Sequence, residues 1–474
     1  MTSHTVARTF SNPDLPTVSV QGLGFVGAAM AVSVAAARDG RGKPAFNVLG
    51  VDLETDNGRA VVAALNAGRF PFATTDAKLI AAIRTACANG NLRATTDATV
   101  YGDADIIVCD INLDLDSASA VPDVILRSFE AGIRTIGRQM RPGTLVIVET
   151  TVPPGTCASV VAPALTEELA RRGEDPNDFL LAHSFERVMP GPDYFDSIVN
   201  FWRVYAGHTP AAAAACRDFL DKVVNTKDFP LTELGSTTAS EMTKVMENSY
   251  RAVTIAFIEE WARFAEVVGV DLFDVVEAVR KRPTHSNMRQ PGFGVGGYCL
   301  TKDPLFARVA ARRYYGRDDL QFPFSEAAVA TNHAMPLASL DRLCAMMGEL
   351  RGKRIALFGV SYRSDVGDTR YSPSEVFACA ALARGAFIVA HDPLVRRWHE
   401  MAMDLDATAP DAASIDAAVF TVAHAEYRSM DVVAWVAAAT PAILDANNVL
   451  SHEQRAALRA KGCRVESIGR GREV

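Results

Sequence analysis

The run Gly22-Leu23-Gly24-Phe25-Val26-Gly27 restricts what this chain can fold into more than any other feature. An apolar stretch, Thr17 to Gln21, precedes it, and an Ala-rich stretch, Gly27 to Arg38, follows it. A strand that turns through glycines straight into a helix belongs to a parallel sheet covered by helices. The glycines permit a tight turn and let a pyrophosphate approach the N–H groups at the helix start. The next strand, Asn47 to Val51, delivers Asp52, placed to accept a hydrogen bond from a ribose hydroxyl. A carboxylate there repels a 2′-phosphate, so the expected cofactor is NAD, held by Gly22, Gly24, Phe25, Val26, Gly27 and Asp52. The competing reading is a glycine turn that binds nothing.

Strands and helices keep alternating beyond the turn. Ala104 to Cys109 and Leu145 to Glu149 read as strands, and Ala60 to Ala67 as a helix. The middle differs. Thr238 to Val268 reads as one long helix, with Thr238 and Glu241 as a capping box and Gly269 as its stop. Met242, Val245, Met246, Val253, Phe257, Phe264 and Val268 recur along it at helical spacing. After about residue 350 the alternation returns, with strands expected at Ile355 to Gly359, Ala386 to Ala390, Ala417 to Thr421 and Ala442 to Leu444. The expected fold is α/β: two Rossmann-like doubly wound domains joined by a central helical domain. The boundaries expected are a flexible tail over 1–16, a cofactor domain over 17–215, a central domain over 216–335 and a second nucleotide domain over 336–474.

Composition narrows the function classes. The 474 residues are 49% apolar and 22% charged with a net charge of -8, which suits buried cores and argues against nucleic-acid binding. The longest apolar stretch, Phe25 to Ala37, is too short to span a bilayer, so no membrane partner is expected. The eight cysteines lie far apart without a C-x-x-C, so neither a disulfide framework nor a metal site is expected. A reduced, cytoplasmic setting fits that usage.

One of those cysteines stands apart. In Gly292-Phe-Gly294-Val-Gly296-Gly297-Tyr298-Cys299-Leu-Thr-Lys302-Asp303, four glycines precede Cys299, and a lysine and a carboxylate follow it. Lys302 is placed to hold a thiolate, and Asp303 to handle protons or position water. In the long helix Lys244, Asn248 and Arg251 share a face at i, i+4 and i+7. A lysine and an amide can stabilise an oxyanion, although a solvated polar stripe has the same pattern. Glu149-Thr150-Thr151 follows a strand at the edge where doubly wound folds bind ligands. Glu186-Arg187 precedes a Pro-Gly turn.

Together these segments resemble the UDP-glucose/GDP-mannose dehydrogenase family from about Val18 to Leu450. The resemblance implies that Cys299 is the nucleophile, that Lys244 and Asn248 are the catalytic lysine and its partner, and that Asp303 completes the cysteine loop. It places Thr151 at the nicotinamide, Glu186 at the hydrolytic water, and Glu186, Arg187, Val188, Lys244, Asn248, Arg251 and Gly296 against substrate. The stretch Gly359 to Pro373 resembles the family's Lys…Asp-x-Arg-Glu-Ser-Pro, with Arg363 in the lysine position on the substrate and Arg370 in the arginine position on the cofactor. Asn112 stands on the cofactor side, in an Asp110-Ile-Asn112-Leu run that replaces Val-Pro-Thr-Pro. The run Glu186-Arg-Val-Met-Pro-Gly191 resembles the branch that acts on UDP-N-acetylhexosamines, in which His usually precedes the cysteine; here it is Tyr298.

The expected reaction is a four-electron oxidation of the C6 alcohol of a nucleotide sugar to a carboxylate, through a thiohemiacetal and a thioester on Cys299. Two other readings stay open. One is a two-electron hydroxy-acid dehydrogenase and the other a non-catalytic nucleotide-sugar binder. A homodimer through the long helix is expected, because Phe257, Trp261 and Phe264 add aromatic surface beyond what one core needs.

Overall fold

The computed structural model describes residues 10–116 and 121–471. Most of the expected tail over 1–16 lies outside the described residues. The chain forms two compact units. One comprises residues up to 246 with 305–321, the other 247–304 with 322 onward.

The first unit is built on strands β1 (Thr17–Gln21), β2 (Asn47–Val51), β3 (Leu92–Thr95), β4 (Ile106–Cys109), β5 (Leu145–Val148), β6 (Leu180–His183), β7 (Val204–Gly207) and β8 (Thr232–Glu233). They form one sheet in the order 3-2-1-4-5-6-7-8, with only the β6–β7 pairing antiparallel. The strand sequences are continuously apolar because both faces are covered. Val48, Val108 and Ile147 join one core, while their neighbours Leu49, Ile107 and Val146 join the core on the opposite face. Side chains set the helix starts. Thr55 accepts from Gly58 N to open Asp56–Asn66, and Asp76 accepts from Lys78 N and Leu79 N to open Ala77–Asn89. The chain order reverses between β1 and β4, the switch point at which doubly wound sheets bind ligands.

In the second unit β9 (Arg354–Phe358), β10 (Phe387–His391), the short hairpin β11 (Arg397–Trp398) and β12 (Met403–Asp404), β13 (Ala417–Phe420), β14 (Ala442–Asp445) and β15 (Val465–Ser467) follow in chain order. Five of these form a parallel sheet in the order 10-9-13-14-15, with its own switch between β9 and β13. The second doubly wound sheet is therefore present, as alternation after residue 350 requires. No helix among the described residues is long and apolar enough to cross a membrane.

The long helix spans Thr237–Val268, one residue earlier than expected. The capping box is not formed. Ser236 Oγ accepts from Ala239 N, and the Glu241 carboxylate accepts from Gly155 N and Cys157 N instead. Those two N–H groups would be buried without a partner, which outweighs a cap that Ser236 already provides. The helix also buries a different face from the one its large residues mark. Val245, Ala252, Ala256, Ile258, Ala262 and Ala265 are buried, whereas Met242, Met246, Phe257, Trp261 and Phe264 are about half exposed. Phe257, Trp261 and Phe264 line one exposed stripe, tilted and edge-to-face, with ring centroids 6.2 and 6.1 Å apart.

Glu259 lies on the buried side of this helix and pairs with Arg263 Nε at 2.7 Å. Burial pushes its carboxyl up to about 7, with Arg263 opposing the shift and Glu266 adding to it. The folded state thus holds a proton that the unfolded state has lost, so stability falls as pH rises through 7. Glu259→Gln should abolish this component. Thermal melts at pH 5 and pH 8 should show the wild type losing up to about 3 kcal/mol relative to the variant. A parallel pH dependence in both proteins would show that Glu259 ionises normally.

Candidate active site

The glycine turn of the first unit divides its labour. Gly22 has φ +87°, and a Cβ there would lie 2.6 Å from Asp110 O; a Cβ on Gly27 would lie 1.8 Å from Gly22 O. These two glycines are required by the protein's own packing. Gly24 is not: nothing lies within 4 Å of where its Cβ would be. It begins the helix Phe25–Ala36, which has no side-chain cap and no acid in its first turn. Open space over uncapped N–H groups fits the pyrophosphate of a dinucleotide. Phe25 stacks on Phe72 with ring centroids 4.1 Å apart. Asp52 follows β2 directly, with Oδ1 accepting from Leu53 N at 2.7 Å, and Asn112 is exposed just beyond β4.

Beyond β5 and β6 the same sheet edge carries Thr151 and Glu186. Lys244 Nζ donates to the Glu186 carbonyl at 2.6 Å and stands 3.7 Å from its carboxylate. The Glu186 carboxylate accepts from Val188 N, and both Lys244 and Arg187 lie over the Phe185 ring, at 5.5 and 5.1 Å. Arg187 Nη1 donates to Trp202 O at 2.5 Å. Beneath this layer lies a buried charged cluster that composition and spacing did not signal. Arg203 pairs with Glu149, both almost fully buried. Burial lowers the Arg203 guanidinium to about 10, and burial aided by Glu186 raises the Asp110 carboxyl well above the ordinary range. A signal was available: Asp110, Glu149 and Arg203 each flank an apolar strand, where a charge is costly unless paired.

In the second unit the cysteine loop is anchored by Asp303, which is 1% exposed. Its carboxylate accepts from Asn248 Nδ2 at 2.8 Å and Lys302 Nζ at 2.7 Å, while its N–H donates to Cys299 O at 2.9 Å. Lys302 thus donates to Asp303, and the pairing offsets the cost of burying that carboxylate. Asp303 thus links Asn248, Lys302 and the Cys299 backbone. Cys299 itself is exposed.

The glycines before Cys299 meet protein. A Cβ on Gly294 would lie 2.6 Å from Pro373, one on Gly296 2.5 Å from Tyr371 O and 2.7 Å from Tyr362 Cβ, and one on Gly297 2.8 Å from the Tyr362 ring. Gly296, expected against substrate, therefore packs on the 359–373 loop. Tyr362, pushed up to about 12 by burial, is a neighbour that sequence reasoning missed. Arg251 stands near Arg289 and Arg363; burial chiefly, then these two positive neighbours, lowers its guanidinium. Three converging arginines suit a diphosphate. At the switch between β9 and β13 a cavity of about 200 Å³ is lined by Phe293, Ser361, Arg363, Thr421 and Asn447 among others. Arg370, expected on the cofactor, is bound to Asp368 at 2.6 Å and lies 4.7 Å over the Tyr298 ring.

Two glycine substitutions separate packing from binding. Gly296→Ala forces backbone atoms apart and should cost about 1–3 kcal/mol, read as a lowered melting temperature. Gly24→Ala meets open space at φ −67°, so stability should hold while NADH affinity, measured by fluorescence titration, drops. Unchanged NADH binding by Gly24→Ala would remove the pyrophosphate from that turn.

Comparison with known proteins agrees with this layout. Models of the UDP-glucose/GDP-mannose dehydrogenase family match residues 16–223 (NAD binding domain), 238–334 (central domain) and 356–452 (UDP binding domain). The chain is 27% identical over 461 residues to a UDP-N-acetyl-D-mannosamine dehydrogenase of Methanocaldococcus jannaschii, covering 96% of this chain and 97% of that one. It is 28% identical over 430 residues to an NDP-N-acetyl-D-galactosaminuronic acid dehydrogenase of Ralstonia nicotianae, covering 88% and 93%. A solved UDP-D-ManNAc dehydrogenase of Pyrococcus horikoshii superposes with a TM-score of 0.79 at 25% identity, covering 96% of this chain and 99% of that one. The chain belongs to the UDP-glucose/GDP-mannose dehydrogenase family and is an NAD-dependent nucleotide-sugar dehydrogenase.

Proposed function

We propose that this enzyme oxidises the C6 alcohol of a UDP-N-acetylhexosamine, of the UDP-N-acetylmannosamine type, to the carboxylate. The observation that carries the reading is the anchored loop, in which an exposed Cys299 follows the glycines and Asp303 holds Asn248 in place. The sugar class rests on the run Glu186 to Gly191 and on the names of the relatives above. NAD, held by Gly22, Gly24, Phe25, Val26, Gly27, Asp52, Asn112 and Thr151, accepts hydride from C6 when bound. Arg251 and Arg363 bind the diphosphate, and Arg187 and Val188 contact the substrate.

Lys244, or water near it, takes the C6 hydroxyl proton. The Cys299 thiolate then forms a bond to the aldehyde carbon, and Lys244 and Asn248 stabilise the oxyanion of the thiohemiacetal. After the second oxidation the carbon is a thioester. Water activated by Glu186 breaks the C–S bond, giving the carboxylate and returning the thiol. The covalent bond retains a reactive aldehyde and makes it a hydride donor again. The division into a cofactor domain over 17–215, a central domain over 216–335 and a substrate domain over 336–474 belongs to the same reading. So does a cytoplasmic location, which fits eight widely spaced cysteines without a C-x-x-C.

Counting NADH per sugar consumed tests the reaction: two are expected, one would indicate a simple hydroxyl dehydrogenase, and none a binder. Cys299→Ser should stop carboxylate formation by at least about 100-fold while nucleotide binding persists, because an alkoxide leaves far less readily than a thiolate. Wild-type turnover by that variant would exclude the covalent route.

The exposed stripe Phe257, Trp261 and Phe264 supports a homodimer through the long helix. Sedimentation at micromolar concentration should show twice the 50.9 kDa chain mass or a multiple of it. An active monomer would overturn the dimer.

A further inference from the structure

The proposed reaction leaves one exposed residue beside the cysteine loop unused. Tyr371 has φ +53°, a left-handed backbone that few residues other than glycine adopt, yet its side chain is 49% exposed. Burial therefore does not explain why a large aromatic residue occupies this position.

The backbone around it is fixed from two sides. Ser372 N donates to Thr369 O at 3.1 Å, closing a turn with Tyr371 as its third residue. Gly297 N donates to Arg370 O at 3.2 Å, and Gly296 leaves room for Tyr371 O where a Cβ would stand 2.5 Å away. The ring is fixed as well. Tyr371 meets Tyr298, the residue before Cys299, with centroids 5.1 Å apart and planes at 83°. Tyr298 lies 4.7 Å from the Arg370 guanidinium, and Asp368 grips that guanidinium at 2.9 and 2.6 Å. A succession of contacts from Asp368 through Arg370 and Tyr298 thus fixes the ring of Tyr371, on a left-handed backbone and with half its surface open, against the residue that precedes the exposed Cys299. Strain maintained in this way concentrates at ligand-binding positions.

We propose that Tyr371 is a specificity-determining residue whose exposed ring packs against the C–H face of the substrate's hexose, with Tyr298 as the positioning residue behind it. The reading rests on a nucleotide sugar being the substrate. A pyranose offers a face of C–H groups to an aromatic ring, and inverting one ring carbon replaces a C–H on that face with a hydroxyl. A rigid ring beside the reacting carbon therefore distinguishes epimers, and it contributes nothing to the binding of the nucleotide alone.

The test compares binding of UDP with binding of whichever of UDP-glucose, UDP-N-acetylglucosamine and UDP-N-acetylmannosamine the wild type oxidises fastest. Calorimetry on the full chain covers the wild type, Tyr371→Gly, Tyr371→Phe and Tyr298→His. Tyr371→Gly should weaken the UDP-sugar by roughly ten-fold and UDP by less than about two-fold. Its melting temperature should not fall, because glycine is at home at φ +53°. Tyr371→Phe should bind both ligands as the wild type does, and Tyr298→His should weaken the sugar alone. Unchanged UDP-sugar affinity in Tyr371→Gly, an equal loss for UDP, or dissociation of the oligomer in that variant would each overturn the assignment. The two readings fail separately. A wild type that reduces NAD with none of the sugars sinks the proposed function, whereas an active wild type with an unaffected Tyr371→Gly sinks only this inference.

Discussion

The reactive loop depends on a close approach that only residues without a Cβ allow. Between 294 and 297 the backbone lies so near the 359–373 loop that a methyl group at three of these positions would fall within 2.8 Å of another atom. The contact brings the loop before Cys299 against Tyr362, Tyr371 and Pro373, in the segment that follows β9 of the second sheet. Close packing of this kind turns a glycine-rich segment, floppy on its own, into a defined surface. The exposure of Cys299 is then a property of a held loop.

Buried carboxylates do the other part of the holding. Asp303 has a lysine on one oxygen and Asn248 on the other, and Glu241 takes two backbone N–H groups from the 155–157 turn. Each ties segments distant in sequence to one carboxylate. A charge that is 1% exposed is stable only when its lone pairs are occupied, so burial and chemical availability oppose each other.

Several local readings of the sequence carried through because local physics governs them. The turn at Gly22, the order of strands and helices, and the length of the helix Thr237–Val268 are set by glycine conformation, apolar periodicity and Ser/Thr/Asp caps within a few residues. The capping box on that helix did not carry through, and its spacing did not say that the alanines face inward. Glu241 answers a demand from residues more than eighty positions away, and the helix buries its alanines because small side chains let neighbouring backbones come close. Neither demand leaves a trace in the spacing of the helix's own sequence. Nor did the buried Glu149–Arg203 pair declare itself, since its members lie 54 residues apart and each, alone, reads as a strand-end charge.

By itself the sequence determined the two α/β sheets, the dinucleotide turn and the single cysteine singled out by its glycines. These are patterns in which residue type and spacing act over one strand, one helix turn or one loop. The tertiary structure alone decided which partner each charged group takes, that Lys302 belongs to Asp303, that the glycines before Cys299 make room for tyrosines, and that Tyr371 stands strained and exposed beside them. Those outcomes depend on competition among groups distant in sequence for the same space and the same hydrogen bonds, and that competition has no answer until the chain has folded.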